Sequence, residues 1–308
     1  FNKYYTTYKL KEQIKKQFGT YLSPAMVQKL QDDQTLLRLG GETRNMTFLF
    51  CDIRGFTPIS EQYKTDPQGL TSLVNRFLTP MTDIIMDNEG TIDKYMGDCI
   101  MAFWNAPLDV SHQEYCAVKT SIQMYEHLEV LNEELESEGL LPINIGIGIN
   151  TGEVVVGNMG SNQRFDYSVL GDAVNLAARL EGQTKSYGVK TLIGEDTKSE
   201  LNDEFVTLEL DNLAVKGKTE PVTIYTVLRT TKSLDENTAY HVEVKVHEEM
   251  MKLYKAKQFD MAIKFCEDLK RCFGGEMTEY YKMWQQRCLD CKDNVPDDWD
   301  GIYRATSK

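Results

Sequence analysis

Asp52 and Asp98 are the side chains of this sequence best suited to bind a divalent cation. Asp52 follows a short apolar run, residues 46–51, which predicts a buried strand, and Asp98 lies in a tight turn between two further predicted strands. If those strands are neighbours, the two carboxylates meet at one edge of a sheet, where the carbonyl of Ile53 could add a further oxygen. Such a site suits Mg²⁺, which binds one or two protein carboxylates together with water and phosphate oxygens. The alternative is that each aspartate only caps a turn.

The residues after Asp52 could bind phosphate groups. Gly55, Phe56 and Thr57 belong to a glycine-containing turn that opens onto a helix. Backbone N–H groups that are exposed at such a turn suit a triphosphate, although this pattern alone is a weak signal.

A third group of side chains lies on a helix that the sequence predicts after Gly171. Asn175 and Arg179 are four positions apart, so they share one face of that helix. An amide can orient a sugar oxygen, and a guanidinium can neutralise the negative charge that develops at phosphorus. Alternatively, Arg179 only forms a surface ion pair with Glu181 or another neighbour. No histidine lies in these segments, so no general base is evident.

The elements that position these residues alternate between strand and helix. Up to residue 157, the apolar patterns predict a strand, a helix, two strands, a helix and a further pair of strands at 143–150 and 153–157. This order predicts an α+β fold with a ferredoxin-like βαββαβ core, in which an antiparallel sheet carries helices on one face. Residues 40–42, Gly-Gly-Glu, are predicted to form a turn ahead of the first strand.

The two ends of the chain differ from this core. We predict a helical linker over residues 1–42, the central α+β domain over 43–228 and a helical extension over 229–308. In the extension, the spacing of several apolar residues is similar to half of a tetratricopeptide helical hairpin. They are Leu253, Tyr254, Phe259, Ala262 and Phe265. One such unit is too short to form a solenoid, so we expect the extension to pack on the central domain.

The composition excludes several functional classes. The 308 residues carry 34 Lys+Arg and 47 Asp+Glu, a net charge of −13, whereas a general nucleic-acid-binding protein needs a basic surface. No apolar run approaches the ~18 residues that cross a bilayer. The sequence begins at Phe1 rather than at Met, so we expect it to be part of a longer protein.

Taken together, these segments resemble the class III nucleotide cyclase catalytic domain over about residues 43–228. The order and spacing of five segments carry the resemblance. They are Phe50-Cys-Asp-Ile-Arg-Gly-Phe-Thr57, Asp93-Lys-Tyr-Met-Gly-Asp98, Gly146-Ile-Gly-Ile-Asn-Thr-Gly-Glu153, the block at 164–179 and Val215-Lys-Gly-Lys218. Within the family, the leading segment with Tyr21-Leu22-Ser23-Pro24 and the tail with Trp299-Asp300-Gly301 resemble bacterial sensor cyclases in which a membrane-anchored sensor precedes the catalytic domain. The resemblance therefore implies a cytoplasmic catalytic portion, an upstream sensor and an anchor in the inner or plasma membrane.

The resemblance also implies a role for each candidate residue. Asp52 and Asp98, with the carbonyl of Ile53, correspond to the ligands of two Mg²⁺ ions, for which Mn²⁺ can substitute. Asn175 and Arg179 correspond to the pair that stabilises the transition state. The implied contacts to the triphosphate are Gly55, Phe56, Thr57, Arg164 and Lys216, and those to the base are Lys94 and Ser168. One catalytic domain supplies the aspartates and a second supplies the other side chains, so the resemblance implies a homodimer with two interfacial active sites.

The substrate that the resemblance implies depends on Lys94 and Ser168. Adenine offers an acceptor at N1 and a donor at N6, whereas lysine can only donate and a serine hydroxyl can accept. Guanine would present a donor to Lys94, and an unpaired buried donor costs about 1–3 kcal/mol. We therefore expect a phosphorus–oxygen lyase that converts ATP to 3′,5′-cyclic AMP and pyrophosphate. The alternatives are a guanylyl cyclase and an inactive cyclase-like module that binds nucleotide and dimerises.

Overall fold

The computed structural model describes residues 40–161, 163, 165–213, 221–230, 239–293 and 299–301. The helical linker predicted for residues 1–42 therefore lies outside the described residues, except for its last three positions.

The described residues form one sheet and eight α-helices. The strands are β1 (Gly40–Ile53), β2 (Thr91–Met96), β3 (Cys99–Trp104), β4 (Ile145–Gly160), β5 (Phe165–Leu170), β6 (Thr191–Gly194), β7 (Phe205–Leu213) and β8 (Val222–Thr230). The helices are α1 (Phe56–Gln62), α2 (Pro67–Asp87), α3 (Gln113–Ser137), α4 (Asp172–Tyr187), α5 (Glu195–Ser199), α6 (Ala239–Lys255), α7 (Phe259–Leu269) and α8 (Thr278–Asp293). The strand order is β2-β3-β1-β4-β6-β8-β7, and β5 pairs with the C-terminal half of β4.

The α+β fold predicted from the sequence is confirmed, with helices packed on a single sheet. Neighbouring strands are antiparallel as predicted at most positions, including β1 with both β3 and β4. The exception is β6, which runs parallel to β4 and pairs Thr191 with Ile147. It is parallel because α4 carries the chain back along the sheet before β6 begins.

Helices cover both faces of the sheet, so the prediction that they lie on one face is wrong. On β1, Leu49 and Cys51 point to the face covered by α2 and α3, whereas Phe50 points to the face on which α4 lies. The reason in the sequence is Gly148, which pairs with Phe50 across β1 and β4. A Cβ at Gly148 would overlap the Ala177 carbonyl oxygen of α4, so only glycine lets this helix lie so close to the strand.

The long helices α2 and α3 are held by stripes of apolar side chains. On α2, the buried residues recur at helical spacing: Leu73, Phe77, Met81 and Ile85. The Asp66 carboxylate caps the start of this helix by accepting a hydrogen bond from the Gly69 backbone N–H at 2.9 Å. In the described part of the chain, no helix is both long and apolar enough to cross a membrane.

Two local predictions are wrong, and one strand, β5, was not predicted. β4 is a single strand of 16 residues rather than two strands with a break near Gly152. A Cβ at Gly152 would lie 2.8 Å from the Ala173 Cβ, so this glycine allows close packing of α4 and does not form a turn. Residues 40–42 belong to β1 rather than to a turn, and they pair with residues 156–158 of β4.

The C-terminal extension, α6 to α8, packs on β7 and on α4. One cluster of buried side chains combines Leu180 and Tyr187 of α4 with Leu208 of β7 and with Tyr254 and Trp284 of the extension. The Tyr254 and Trp284 rings meet edge to face with their centroids 4.5 Å apart, a favoured arrangement of aromatic side chains. The extension and the sheet therefore share one hydrophobic core.

Candidate active site

Asp52 and Asp98 lie together at one edge of the sheet. Asp52 is near the C-terminal end of β1, and Asp98 occupies the turn between β2 and β3 together with Gly97. Gly97 has a φ of 69°, a left-handed conformation that glycine adopts without strain. Because Cys51 pairs with Ile100 across β1 and β3, the two aspartates lie side by side.

The Asp52 and Asp98 carboxyl groups are within hydrogen-bonding reach of one another. Burial, reinforced by the negative charge of Asp52, raises the pKa of Asp98 to about 6. The Ile53 backbone N–H donates to Asp52 Oδ1 at 3.1 Å and also stabilises the charged form of Asp98. The fold thus brings together the two aspartates that the sequence singles out as metal ligands.

The negative charge of Asp52 also affects the neighbouring acidic groups. Burial, followed by the charge of Asp52, raises the pKa of the Cys99 thiol to about 12. On α4, burial and the same charge raise the pKa of Glu181 to about 7, and Arg54 opposes this shift. Arg54 Nη2 donates to the Val189 carbonyl at 2.5 Å. Its Nε is buried and has no hydrogen-bond partner among the described residues.

This arrangement fits a divalent cation. A carboxylate whose pKa is raised by burial and by a second carboxylate is stabilised in its charged form when a cation lies between them. The described residues hold no cluster of three or more His, Cys, Asp or Glu side chains that could bind a metal ion. Water, backbone or phosphate oxygens would therefore complete the coordination shell, which is the shell that Mg²⁺ prefers.

The predicted triphosphate contacts are only partly described. Gly55, Phe56 and Thr57 lie where α1 begins, just after the end of β1. Gly55 is exposed and has a φ of 67°. Arg164 and Lys216 lie outside the described residues, so their contacts stay predictions.

Asn175 and Arg179 lie one turn apart on an exposed face of α4. Ala177, between them in sequence, is fully buried, so the packing of the helix fixes which face carries the polar pair. The Asn150 side chain donates to the Ala173 carbonyl at 3.0 Å, which fastens the start of α4 to β4.

Lys94 and Ser168, the predicted base-binding residues, both lie next to Asp93. Asp93 lies where the pairing register between β2 and β3 shifts, and its side chain is only 1% exposed. Its carboxylate lies 3.2 Å from Lys94 Nζ. Burial raises the pKa of Asp93, whereas hydrogen bonding from Ser168 and the charge of Lys94 oppose that rise. Neither carboxylate oxygen has a hydrogen bond of good geometry within the described residues, so these contacts are close but imperfectly aligned.

Sequence reasoning missed three residues of this region: Arg54, Asp93 and Glu181. Arg54 and Asp93 lie inside the segments that carry the resemblance, and their neighbours Asp52 and Lys94 were the available signal. Glu181 had no such signal, because its position depends on how α4 lies across β4. A Cβ at Gly146 would be 2.9 Å from Glu181 Oε1, so this glycine makes room for the carboxylate.

Known proteins are similar to this region in both sequence and fold. Residues 41–229 match the family described as adenylate and guanylate cyclase catalytic domain. An adenylate cyclase of Anabaena cylindrica is 41% identical over 192 residues, which cover 60% of this chain and 37% of that protein. The chain thus spans little more than a third of the length of this curated relative.

Two solved structures are similar to nearly equal extents. The adenylyl cyclase CyaB from P. aeruginosa is 37% identical, with a TM-score of 0.56, and the match covers 61% of this chain and 96% of that one. The guanylyl cyclase Cya2 is 36% identical, with a TM-score of 0.57, and the match covers 62% of this chain and 95% of that one. Because the family match covers more than half of the residues, the chain belongs to the adenylate and guanylate cyclase catalytic domain family.

Proposed function

We propose that this chain is an adenylyl cyclase, which converts ATP to 3′,5′-cyclic AMP and pyrophosphate. The observation that carries the proposal is the convergence of Asp52 and Asp98, where burial and the charge of Asp52 raise the pKa of Asp98 to about 6. Family membership and the adenylate cyclase relative from Anabaena cylindrica support the same reaction.

Each group of residues has its own task in this reaction. Asp52 and Asp98, with the Ile53 carbonyl, would hold two Mg²⁺ ions, for which Mn²⁺ can substitute. When bound, the ions activate a ribose hydroxyl and neutralise the departing pyrophosphate. Asn175 orients the ribose, and Arg179 donates to the oxygens of the α-phosphorus. The ribose 3′ hydroxyl then gives up its proton to water, its oxygen bonds to the α-phosphorus, and the bond between that phosphorus and pyrophosphate breaks.

The choice of ATP over GTP rests on Lys94, Ser168 and the buried Asp93 between them. The two similar solved structures are an adenylyl and a guanylyl cyclase, so overall similarity does not separate the two substrates. Lys94 can donate to adenine N1, and Ser168 can accept from adenine N6. The Asp93 carboxylate lies 3.2 Å from Lys94 Nζ and next to Ser168, which supports a common role for these two side chains at one base-binding position.

A homodimer completes the proposed site. Val155 of β4 and Leu170 of β5 lie opposite each other in the sheet, and they are 44% and 65% exposed. Met96, in the strand that carries Lys94, is 48% exposed. Apolar side chains exposed beside polar site residues favour contact with a second protein surface. In the dimer, the aspartates of one chain would face Asn175 and Arg179 of the other. The upstream sensor, the membrane anchor and the cytoplasmic location stay predictions.

The direct test is an assay of the purified chain with ATP or GTP, in the presence of Mg²⁺ or Mn²⁺, with both cyclic products quantified. We expect cyclic AMP from ATP and at least about tenfold slower formation of cyclic GMP. Cyclic GMP as the main product would replace the proposal by the guanylyl cyclase alternative. Nucleotide binding without either cyclic product would favour the inactive dimerisation module.

The interfacial site is tested by mixing two inactive variants. Asp52→Ala and Arg179→Ala chains should each be inactive alone. An equimolar mixture should recover about a quarter of the wild-type rate, because half of the dimers are mixed and each of those has one intact site. A mixture as inactive as its components, in which mixed dimers are detected by mass, would contradict an active site shared between chains.

A further inference from the structure

The C-terminal extension holds the end of the helix that carries Asn175 and Arg179. Tyr187 is the last residue of α4, and its hydroxyl donates to Asp211 Oδ2 on β7 at 2.6 Å. From α8, Arg287 Nη1 donates to the same oxygen at 2.5 Å. We call Tyr187, Asp211 and Arg287 the helix clamp.

The helix clamp is buried and its charges are paired. The Arg287 and Asp211 side chains are only 10% and 5% exposed. The second carboxylate oxygen of Asp211 accepts the Asn212 backbone N–H at 2.8 Å. The Arg287 guanidinium also lies over the Trp284 ring, 4.7 Å from its centroid. Removal of either partner would leave a buried charge without its counterpart, so each partner depends on the other.

The strand that supplies Asp211 is itself fastened to the extension. Next to it, the Tyr280 hydroxyl donates to the Leu210 carbonyl at 2.8 Å. One residue further back, His247 Nε2 lies 2.7 Å from the Glu209 carbonyl oxygen. Three successive residues of β7 therefore contact side chains of α6 and α8.

A further contact lies just beyond the end of α4. Gly188 follows the helix with a φ of 64°. A Cβ at this position would lie 2.6 Å from the Glu279 Cβ, so the glycine lets the start of α8 lie directly against the end of α4.

The clamp and the predicted transition-state residues belong to one stiff element. α4 is a continuous helix of 16 residues. Arg179 precedes Tyr187 by about 12 Å along the helix axis. A shift or rotation at Tyr187 is therefore transmitted to Arg179 and Asn175. Groups that act on a transition state can lose about 10²-fold in rate when they are displaced by about 1 Å.

We propose that Arg287, through Asp211 and Tyr187, is a positioning residue that sets the place of Asn175 and Arg179 during cyclisation. The inference rests on the proposed cyclase function. Arg287 lies outside residues 41–229, the part of the chain that matches the family. The extension thus contributes to turnover in addition to stabilising the fold.

A purely structural role makes a different prediction. In that case, loosening the clamp would lower the fraction of folded protein, but each folded molecule would keep its wild-type kcat. A positioning role instead lowers kcat in fully folded protein, with little change in the KM for ATP.

Three clamp variants and one control separate these roles. Tyr187→Phe removes only a hydroxyl and keeps the packed ring. Arg287→Gln removes the charge, and Arg287→Lys keeps the charge without the planar fork. The control is Phe259→Leu, because Phe259 packs on Tyr254 and Trp299 in the extension rather than on the clamp. All rates are measured at a temperature where circular dichroism gives fully folded protein.

We expect kcat to fall about tenfold in Tyr187→Phe and further in Arg287→Gln, with KM for ATP within about twofold of wild type. Arg287→Lys should recover part of the loss, and Phe259→Leu should keep the wild-type kcat. Wild-type kcat in both Tyr187→Phe and Arg287→Gln would overturn the inference. An equal loss of kcat in Phe259→Leu would also overturn it.

Hydrogen exchange separates this inference from the proposed function. Amides at the end of α4 should exchange faster in Tyr187→Phe and Arg287→Gln than in wild type and in Phe259→Leu. If the wild-type chain makes no cyclic nucleotide, the proposed function fails, and the clamp is judged by exchange alone. Unchanged exchange at the end of α4 in both clamp variants would remove the physical basis of the inference.

Discussion

Asp98 and Asp211 are both carboxylates partly or wholly withdrawn from water, yet their surroundings have opposite charge. Asp98 lies beside Asp52, and burial together with that negative charge raises its pKa to about 6. Asp211 lies beside Arg287 and accepts a hydrogen bond from Tyr187 at 2.6 Å. The first cluster concentrates like charge at the edge of the sheet, whereas the second neutralises charge in the core.

This difference distinguishes a cluster whose charge needs a bound cation to balance it from a cluster whose charges are balanced by side chains of the chain itself. Like charges held together in the native state lower its stability until a cation compensates them. A buried pair of opposite charges needs no ligand, but it depends on both partners being present. The comparison therefore supports the proposal that Asp98 binds a cation and the inference that Asp211 holds the end of α4.

Neutralising Asp98 or Asp211 should change the stability of the fold in opposite directions. The loss of rate in the Asp98 variant is the largest effect we expect. Asp98→Asn should lower cyclic AMP formation about 10³-fold, because a ligand and its charge are lost at the reacting phosphates. Its melting temperature should stay the same or rise, because repulsion from Asp52 disappears. Asp211→Asn should instead lower the free energy of unfolding by about 3–5 kcal/mol, because Arg287 stays buried without its counter-charge.

Asp83→Asn is the matched control for this experiment, because Asp83 is exposed on α2. It should change neither rate nor stability. Product quantification and thermal unfolding provide the two readouts. If Asp98→Asn kept wild-type turnover, or lost as much stability as Asp211→Asn, the contrast between the two clusters would be wrong.

Lys94 sharpens the comparison, because its proposed partners are a nucleotide base as well as the neighbouring Asp93 carboxylate. Lys94→Glu should change the ratio of ATP to GTP turnover in favour of GTP by about 10- to 100-fold, because a carboxylate accepts from guanine and cannot donate to adenine N1. The matched control is Lys282→Glu, since Lys282 is half exposed on α8. Competition between the two nucleotides gives the ratio. An unchanged ratio would exclude Lys94 from base recognition.

His247 offers a smaller test of the same contrast, now within the extension. Burial lowers its pKa from 6.5 to about 4. Since the Glu209 carbonyl can only accept, Nε2 carries the proton of the neutral ring and Nδ1 accepts from the Tyr281 hydroxyl. Both ring nitrogens of the neutral histidine therefore have hydrogen-bond partners within the chain.

Well above pH 6.5, neither the folded nor the unfolded state protonates this histidine, so its contribution to the free energy of unfolding does not vary. Between pH 6.5 and 4, the unfolded state binds a proton that the folded state excludes. The free energy of unfolding should therefore fall as the pH falls, by about 3 kcal/mol at most from this group. Denaturant unfolding at several pH values measures the slope, and His247→Gln should have a smaller slope. An equal slope in both proteins would assign the pH dependence to other groups.

The aspartate pair could be predicted from the sequence because local elements set its geometry. Asp52 ends a strand, and Asp98 lies in a two-residue turn between strands that pair with that strand. Short apolar runs and one glycine turn were enough to predict that both would reach the same edge.

The helix clamp could not be predicted, because 76 residues separate Arg287 from Asp211 and no local pattern links them. The break predicted within β4 failed for a related reason. Gly152 reads as a turn residue, but its real constraint is the Ala173 side chain of a helix that packs across it. The same holds for Gly148 and the side of the sheet on which α4 lies. These features depend on how elements that are distant in sequence pack together. The spacing of apolar residues along the sequence carries no information about that packing.

The central claim, that Asp52 and Asp98 bind divalent cations for the reaction, is tested most directly by Mn²⁺ binding. Electron paramagnetic resonance measures free Mn²⁺ during titration of wild type, Asp98→Asn and Asp83→Asn, with 3′-deoxy-ATP present to prevent cyclisation. At a pH well above the pKa of Asp98, wild type and Asp83→Asn should bind Mn²⁺ equally, and Asp98→Asn should bind it at least about tenfold more weakly. Equal Mn²⁺ affinity in Asp98→Asn and wild type would contradict the account.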